Sequence, residues 1–168
     1  PFFTDPPYGL VQKEKDPKRE IDYQGVYLLR KNGKVTLVAK DLERPNGIAL
    51  SPDEKTLYVA NSDENNKVWY SYEVGNDGRL SNQRVFFDVN DQDATGAADG
   101  MKVDIDGNIF ATGPGGVWVF DPGGNHLGTI KPDEVPANVG WGDDGSTLYM
   151  TARTGLYRIR LSTTGLVP

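Results

Sequence analysis

The sequence predicts an all-β fold, a β-propeller present as an incomplete portion of about three and a half blades. Three observations carry this. Three segments can be laid over one another, each a hairpin followed by a third strand: "PNGIALSPDEKTLYVANS" (45–62), "ADGMKVDIDGNIFATGP" (98–114) and "ANVGWGDDGSTLYMTAR" (137–153). No segment of useful length shows the 3.6-residue apolar period of a helix. The 168 residues include 20 glycines and 11 prolines, a composition of many short strands joined by turns. Repeats of about 40–50 residues with four strands each are the mark of propeller blades. A sandwich or a barrel also gives many short strands. Repetition of the whole unit, rather than strand content, favours the propeller.

Taken in order, "FFTD", "GVYLLRKN" and "KVTLVAKD" read as the later three strands of a first unit. The charged insertion "KEKDPKRE" (13–20) between them reads as a solvated loop. The next unit runs through "GIAL", the turn "SPDEK", "TLYVAN", "KVWYSYEV" and the more polar "RLSNQRVFFDV". The third runs through "GMKV", "NIFATG", "GVWVFDP" and "HLGTIKP", and the last through "NVGW", "STLYMTA" and "GLYRIRL". The first piece lacks an innermost strand and the last an outermost one. The whole chain, 1–168, is expected to be a single propeller domain without its N-terminal blades. About three and a half blades do not close a ring, so open ends should be covered by self-association or by an upstream segment. The chain opens on "PFFTDPP" with no initiator Met, which fits the second option.

Composition narrows the function. A net charge of −6 and a pI of about 4.8, with no basic cluster, argue against nucleic acid. The absence of cysteine excludes disulfides and thiolate metal sites. No apolar run approaches the roughly 20 residues of a membrane helix. Cytoplasm and periplasm both fit.

Asn46, Asp99 and Asn138 stand at the mouth of the innermost strand in their repeats. In a propeller those mouths converge on one end of the central channel. Two amides and a carboxylate facing one another are hard oxygen donors. They suit Ca²⁺ or Mg²⁺, and the set does not exclude Mn²⁺ or Zn²⁺. The competing reading is structural: Asn and Asp before a strand often close an Asx-turn on the backbone. His126, the only histidine, flanks a turn and reads as structural. "DIDGN" (104–108) lacks the later glutamate of a calcium loop and reads as a hairpin turn, as does "GPGG" (113–116). Trp69, Trp118 and Tyr157 fall on third strands and read as packing between blades.

"RPNGIALSPDEKTLYVANS", "ADGMKVDIDGNIFATGPGGVWVFDP" and "FFTDPPYGL" closely resemble the gluconolactonase, senescence marker protein and luciferin-regenerating enzyme family, from Phe3 to Leu161. The resemblance implies a six-bladed lactonase-type propeller with one divalent metal ion in its channel, Ca²⁺ first among the candidates. It implies hydrolysis of sugar lactones or related cyclic esters. It makes Asn46 and Asp99 metal ligands, Asp99 also the candidate general base, and Asn138, Tyr8 and Asp5 candidate substrate contacts. The family also uses a glutamate from its first blade and an Asn in a "PND"-like segment before "FTDPPYG", and this chain carries neither. It resembles the C-terminal part of a family member. A non-catalytic propeller module for binding or assembly is the alternative.

Overall fold

A computed structural model describes residues 1–166. Among the described residues four antiparallel sheets form, and no closed barrel. The first holds β1 (Phe2–Asp5), β2 (Gly25–Leu29) and β3 (Val35–Ala39). The second holds β4 (Pro45–Leu50), β5 (Thr56–Asp63), β6 (Asn66–Val74) and β7 (Leu80–Asp88). The third holds β8 (Met101–Val103), β9 (Ile109–Gly113), β10 (Gly116–Phe120) and β11 (His126–Ile130), and the fourth β12 (Pro136–Gly142), β13 (Thr147–Ala152) and β14 (Gly155–Arg160). Every strand pairs with its neighbours in chain order. This is what short turns allow without crossovers. The first strands of successive sheets lie side by side: β1 against β4, β4 against β8, and β8 and β9 against β12.

Turn chemistry sets the boundaries. Gly33, Gly78, Gly107, Gly124 and Gly145 adopt positive φ between strands. In "DIDGN" the Asp104 carboxylate is spent on the turn. Its Oδ1 accepts from the backbone N–H of Asp106 (3.0 Å) and Asn108 (2.7 Å), and its Oδ2 from Asn108 Nδ2 (2.8 Å) and Thr163 Oγ1 (2.8 Å). That is a hairpin turn, not a cation loop. "GPGG" likewise only joins β9 to β10.

Burial follows position in the sheet. The central strand β5 is buried along nearly its whole length, whereas β14 alternates, with Tyr157 and Ile159 inward and Arg158 and Arg160 outward. Each interface between adjacent sheets has its own apolar cluster. Val26, Leu42, Leu57, Val59 and Tyr72 join the first two sheets. Trp69, Met101, Ile109, Trp118 and Phe120 join the second and third, with Trp69 and Phe120 rings 5.3 Å apart edge to face. Phe110, Val139, Leu148 and Met150 join the third and fourth, with Tyr157 packed on them. The third-strand aromatics are thus inter-sheet packing, as the repeat predicts. His126 opens β11, exposed, its Nε2 3.0 Å from Thr129 Oγ1 and its ring 4.4 Å from that of Trp118.

The insertion 13–20 is largely exposed, as a solvated loop should be, but it is anchored at two carboxylates. Lys13–Lys15 make a 3-10 turn, and Asp16 accepts from the backbone N–H of Gln12 and Lys18 (2.9 Å each). Glu14 reaches Arg44, beside β4. A run of mixed charge looks solvated in sequence. What draws it in is a partner 30 residues away.

Candidate functional site

The site begins where β4, β8 and β12 start. Asn46 is the second residue of β4, Asp99 lies two residues before β8, and Asn138 is the third residue of β12. The approach of these segments is tight. A Cβ on Gly47 would strike the Asp99 carbonyl, and one on Gly100 would strike Asn138. Glycine is required at both positions because backbones meet there. The register is one residue off the simple overlay. Asn138 pairs with Thr151, while the residue joined to the equivalent Thr112 is Gly100, which takes the Thr112 N–H on its carbonyl (2.9 Å). Bulges at Pro45/Ile48 and Pro136/Asn138 account for the offset, since each adds a residue to one strand of the pair.

The three side chains differ in surroundings. Asp99 is half-buried, and desolvation pushes its carboxyl above the usual carboxylate range. The Gly100 N–H and the Asn46 side chain pull the other way by hydrogen bonding, without cancelling the burial effect. Among the described residues no ion pair involves Asp99. Asn138 is exposed, and its Oδ1 accepts the Val139 N–H at 2.9 Å. A bond to the next backbone amide, as the structural reading expects, thus occupies its side-chain oxygen.

Tyr8 sits on the 3-10 turn Pro7–Gly9, 44% exposed. Burial raises its phenol pKa and the Ser62 hydroxyl opposes the rise. Arg44 acts in the same sense as Ser62, and Asp99 and Glu14 against it. Tyr8 is thus within electrostatic reach of the carboxylate. Asp5 lines a cavity of about 420 Å³ with Pro6, Pro7, Arg19, Tyr23 and Gln24, whose lining does not include Asn46, Asp99 or Asn138.

Two sets of residues at the site escaped the sequence reading. Arg44, beside Pro45, places its Nε 2.7 Å from Glu14 Oε1 and 3.7 Å from Asp63 Oδ2. Its own N–H donates to Asn61 Oδ1 (2.8 Å), and its carbonyl takes the Ser62 N–H (2.9 Å). The second set is a hydroxyl at the penultimate position of a strand: Thr4, Ser62, Thr112 and Thr151. The recurrence in "FTD", "NSD", "ATG" and "MTA" is visible in the sequence, but its meaning depends on what lies across the sheet boundary.

No three His, Cys, Asp or Glu side chains gather as a ligand set among the described residues. The donors at hand are one carboxylate and two amides. A half-buried carboxylate raised by desolvation and lacking a protein cation fits a divalent ion, because an added positive charge would remove that penalty.

Residues 2–154 match the family described as the SMP-30/Gluconolactonase/LRE-like region. The chain belongs to that family. A gluconolactonase of Zymomonas mobilis is 38% identical over 170 residues, an alignment spanning 98% of this chain and 48% of that protein. The solved gluconolactonase of Xanthomonas campestris superposes with a TM-score of 0.83 at 32% identity, over 95% of this chain and 52% of the other. The calcium-binding protein regucalcin of Agrobacterium tumefaciens gives 0.70 at 26% identity, over 89% and 56%. The chain thus spans about half the length of these relatives.

Proposed function

We propose that the chain is the lactone-hydrolysing, divalent-ion-binding portion of a gluconolactonase-type propeller. Its four sheets are then consecutive blades of a six-bladed ring, of which residues 1–168 make about three and a half. The observation that carries the reading is the Asp99 carboxylate: raised by burial, without a protein cation, and set beside the Asn46 amide at the convergence of three strand mouths. The relatives are named as lactone hydrolases, which speaks for a hydrolase and against a purely scaffolding module.

Asp99 and Asn46 would hold the ion, Ca²⁺ before Mg²⁺, Mn²⁺ or Zn²⁺. When bound, such an ion supplies Lewis-acid polarisation of a lactone carbonyl and charge stabilisation of the oxyanion. Asp99 accepts the proton of the attacking water. The Tyr8 phenol and the Asn138 amide orient the ring and its hydroxyls from the rim. Asp5 would touch substrate only through the neighbouring cavity.

The test is calorimetric titration of the chain with Ca²⁺ and Mn²⁺, together with hydrolysis of D-glucono-δ-lactone followed by proton release. Ion binding and turnover, both lost in Asp99→Ala with the far-UV spectrum retained, are expected. Wild-type-like turnover in that variant overturns the assignment. A folded chain that neither binds an ion nor opens a lactone returns the reading to a binding or assembly module.

A further inference from the structure

The candidate donors come from different sheets, so their mutual distances depend on how one sheet is held against the next. At each boundary a side-chain hydroxyl does the holding. Thr4 Oγ1, on β1, donates to the carbonyl of Asn46 itself at 2.6 Å. Ser62 Oγ, on β5, donates to the Ala98 carbonyl, one residue before Asp99. Thr112 Oγ1, on β9, lies 3.2 Å from the Ala137 carbonyl, one residue before Asn138, and 3.1 Å from the Gly100 carbonyl. All three hydroxyls sit one residue before the end of their strand. All three reach forward to the segment carrying the next donor. Ser62 and Thr112 are buried, Thr112 fully. Thr151, at the same place in the fourth sheet, is exposed, and its Oγ1 lies 3.4 Å from a carbonyl of its own sheet.

From this we infer that Thr4, Ser62 and Thr112 are positioning residues of the site: a repeated hydroxyl clasp that fixes the backbone beneath the ion ligands Asn46 and Asp99 and the substrate contact Asn138 in turn, with Thr112 bearing on Asp99 as well through the carbonyl of the adjoining Gly100. The inference rests on the proposed ion-binding reading. Its physical basis is that apolar packing between sheets is weakly directional, whereas a buried hydroxyl bonded to one carbonyl fixes both distance and direction. Without the hydroxyl, the sheets keep their apolar contacts but can slide by a fraction of an ångström. Ligand geometry tolerates little of that. The Gly100 N–H to Ala137 carbonyl bond (3.0 Å) is the one backbone link that shares this duty at the third boundary. The first two boundaries should therefore depend more heavily on their hydroxyls.

The experiment compares Ser62→Ala, Thr112→Val and Thr112→Ser with the unchanged chain. Mn²⁺ and Ca²⁺ affinity are measured by calorimetry, and amide exchange at Asp99 and Gly100 is measured without metal. Ser62→Ala and Thr112→Val should each weaken ion binding about tenfold, the scale of one lost buried hydrogen bond. Ser62→Ala should be at least as severe as Thr112→Val, and both should quicken exchange at Asp99 or Gly100. Thr112→Ser, which keeps the hydroxyl, should bind like the unchanged chain. Thr4→Val, at a less buried position, gives a milder variant should Thr112→Val fail to fold. Ion affinity within twofold of the unchanged chain in both Ser62→Ala and Thr4→Val overturns the clasp while leaving the site reading intact. If the unchanged chain itself binds neither ion, the site reading falls, and the clasp falls with it as a device of that site.

Discussion

At the scale of single residues, charge separates the candidate donors. A carboxylate attracts a divalent ion by its full charge and an amide only by its dipole, so Asp99 should dominate Asn46. Asn46→Ala is expected to weaken Mn²⁺ binding about tenfold less than Asp99→Ala, a gap of about 1.4 kcal/mol. Asp106→Ala, in a turn organised by the Asp104 carboxylate, should leave affinity unchanged. Calorimetry that ranks Asn46→Ala as the more damaging change would show that the ligand roles are reversed. Burial raises the Asp99 pKa, so the group favours the fold in its protonated form. That contribution is present below the ordinary carboxylate value of 3.8 and is lost as pH rises through the raised value. Asp99→Asn should therefore raise the melting temperature of the metal-free chain at neutral pH, most visibly with a chelator present, while abolishing ion binding. A lower melting temperature would contradict the desolvation argument. The sequence showed which residue types stood at the strand mouths. It did not show that Asn138 is offset by one position, because a bulge leaves no residue-type signature.

Between elements, the 13–20 insertion is exposed as expected, yet it is tied down by contacts that composition does not show. Composition alone made it a solvated loop. Glu14 ties it to Arg44 at 2.7 Å, and Arg44 ties it in turn to the ends of β4 and β5. That pairing, ahead of all other influences, holds the Glu14 carboxyl below its usual value of 4.5. Its contribution is accordingly present above that value and fades as pH falls through the lowered one. Glu14 is 35% exposed, so solvent screening keeps the pair's share of global stability small. The consequence is local. Glu14→Gln should speed tryptic cleavage after Lys13, Lys15, Lys18 or Arg19 severalfold, with little change in melting temperature. Unchanged cleavage would show that the insertion is held by Asp16 and its backbone bonds alone.

On the scale of the whole molecule, three apolar clusters hold four sheets in series. The middle cluster, with Trp69 1% exposed and rings of Trp118 and Phe120 around it, is the joint between the two halves. Trp69→Ala should cost about 3–5 kcal/mol and separate the unfolding of the halves. A single transition shifted by less than 1 kcal/mol (roughly the scale of a surface change) would place the weight elsewhere. Beyond the fourth sheet, residues 162–166 fold back. Thr163 bonds Asp104, and the Gly165 N–H meets the Gly145 carbonyl at 2.9 Å, which ties the third sheet to the fourth. At the other end, β1 pairs only with β2, and Phe3 (38% exposed) and Val35 (51%) lie on the same open sheet. An unpaired edge beside exposed apolar side chains favours association. The isolated 168-residue chain should sediment as more than an 18.4 kDa monomer at micromolar concentration. A compact monomer would refute this.

What the sequence determined by itself was local and periodic: fourteen strands in chain order, the turns between them, and the grouping into four sheets. These follow from side-chain alternation and glycine placement within a few residues, and the repeat supplied the grouping. The candidate donors were legible for the same reason, since each stands at a fixed offset from a turn. The meetings between sheets were decided only by the tertiary structure. These are the Gly47 and Gly100 contacts, the Glu14–Arg44 pair, and the hydroxyls that cross each boundary. Such contacts join residues tens of positions apart, and residue type alone does not say which distant carbonyl a threonine will find. That depends on how twisted sheets stack.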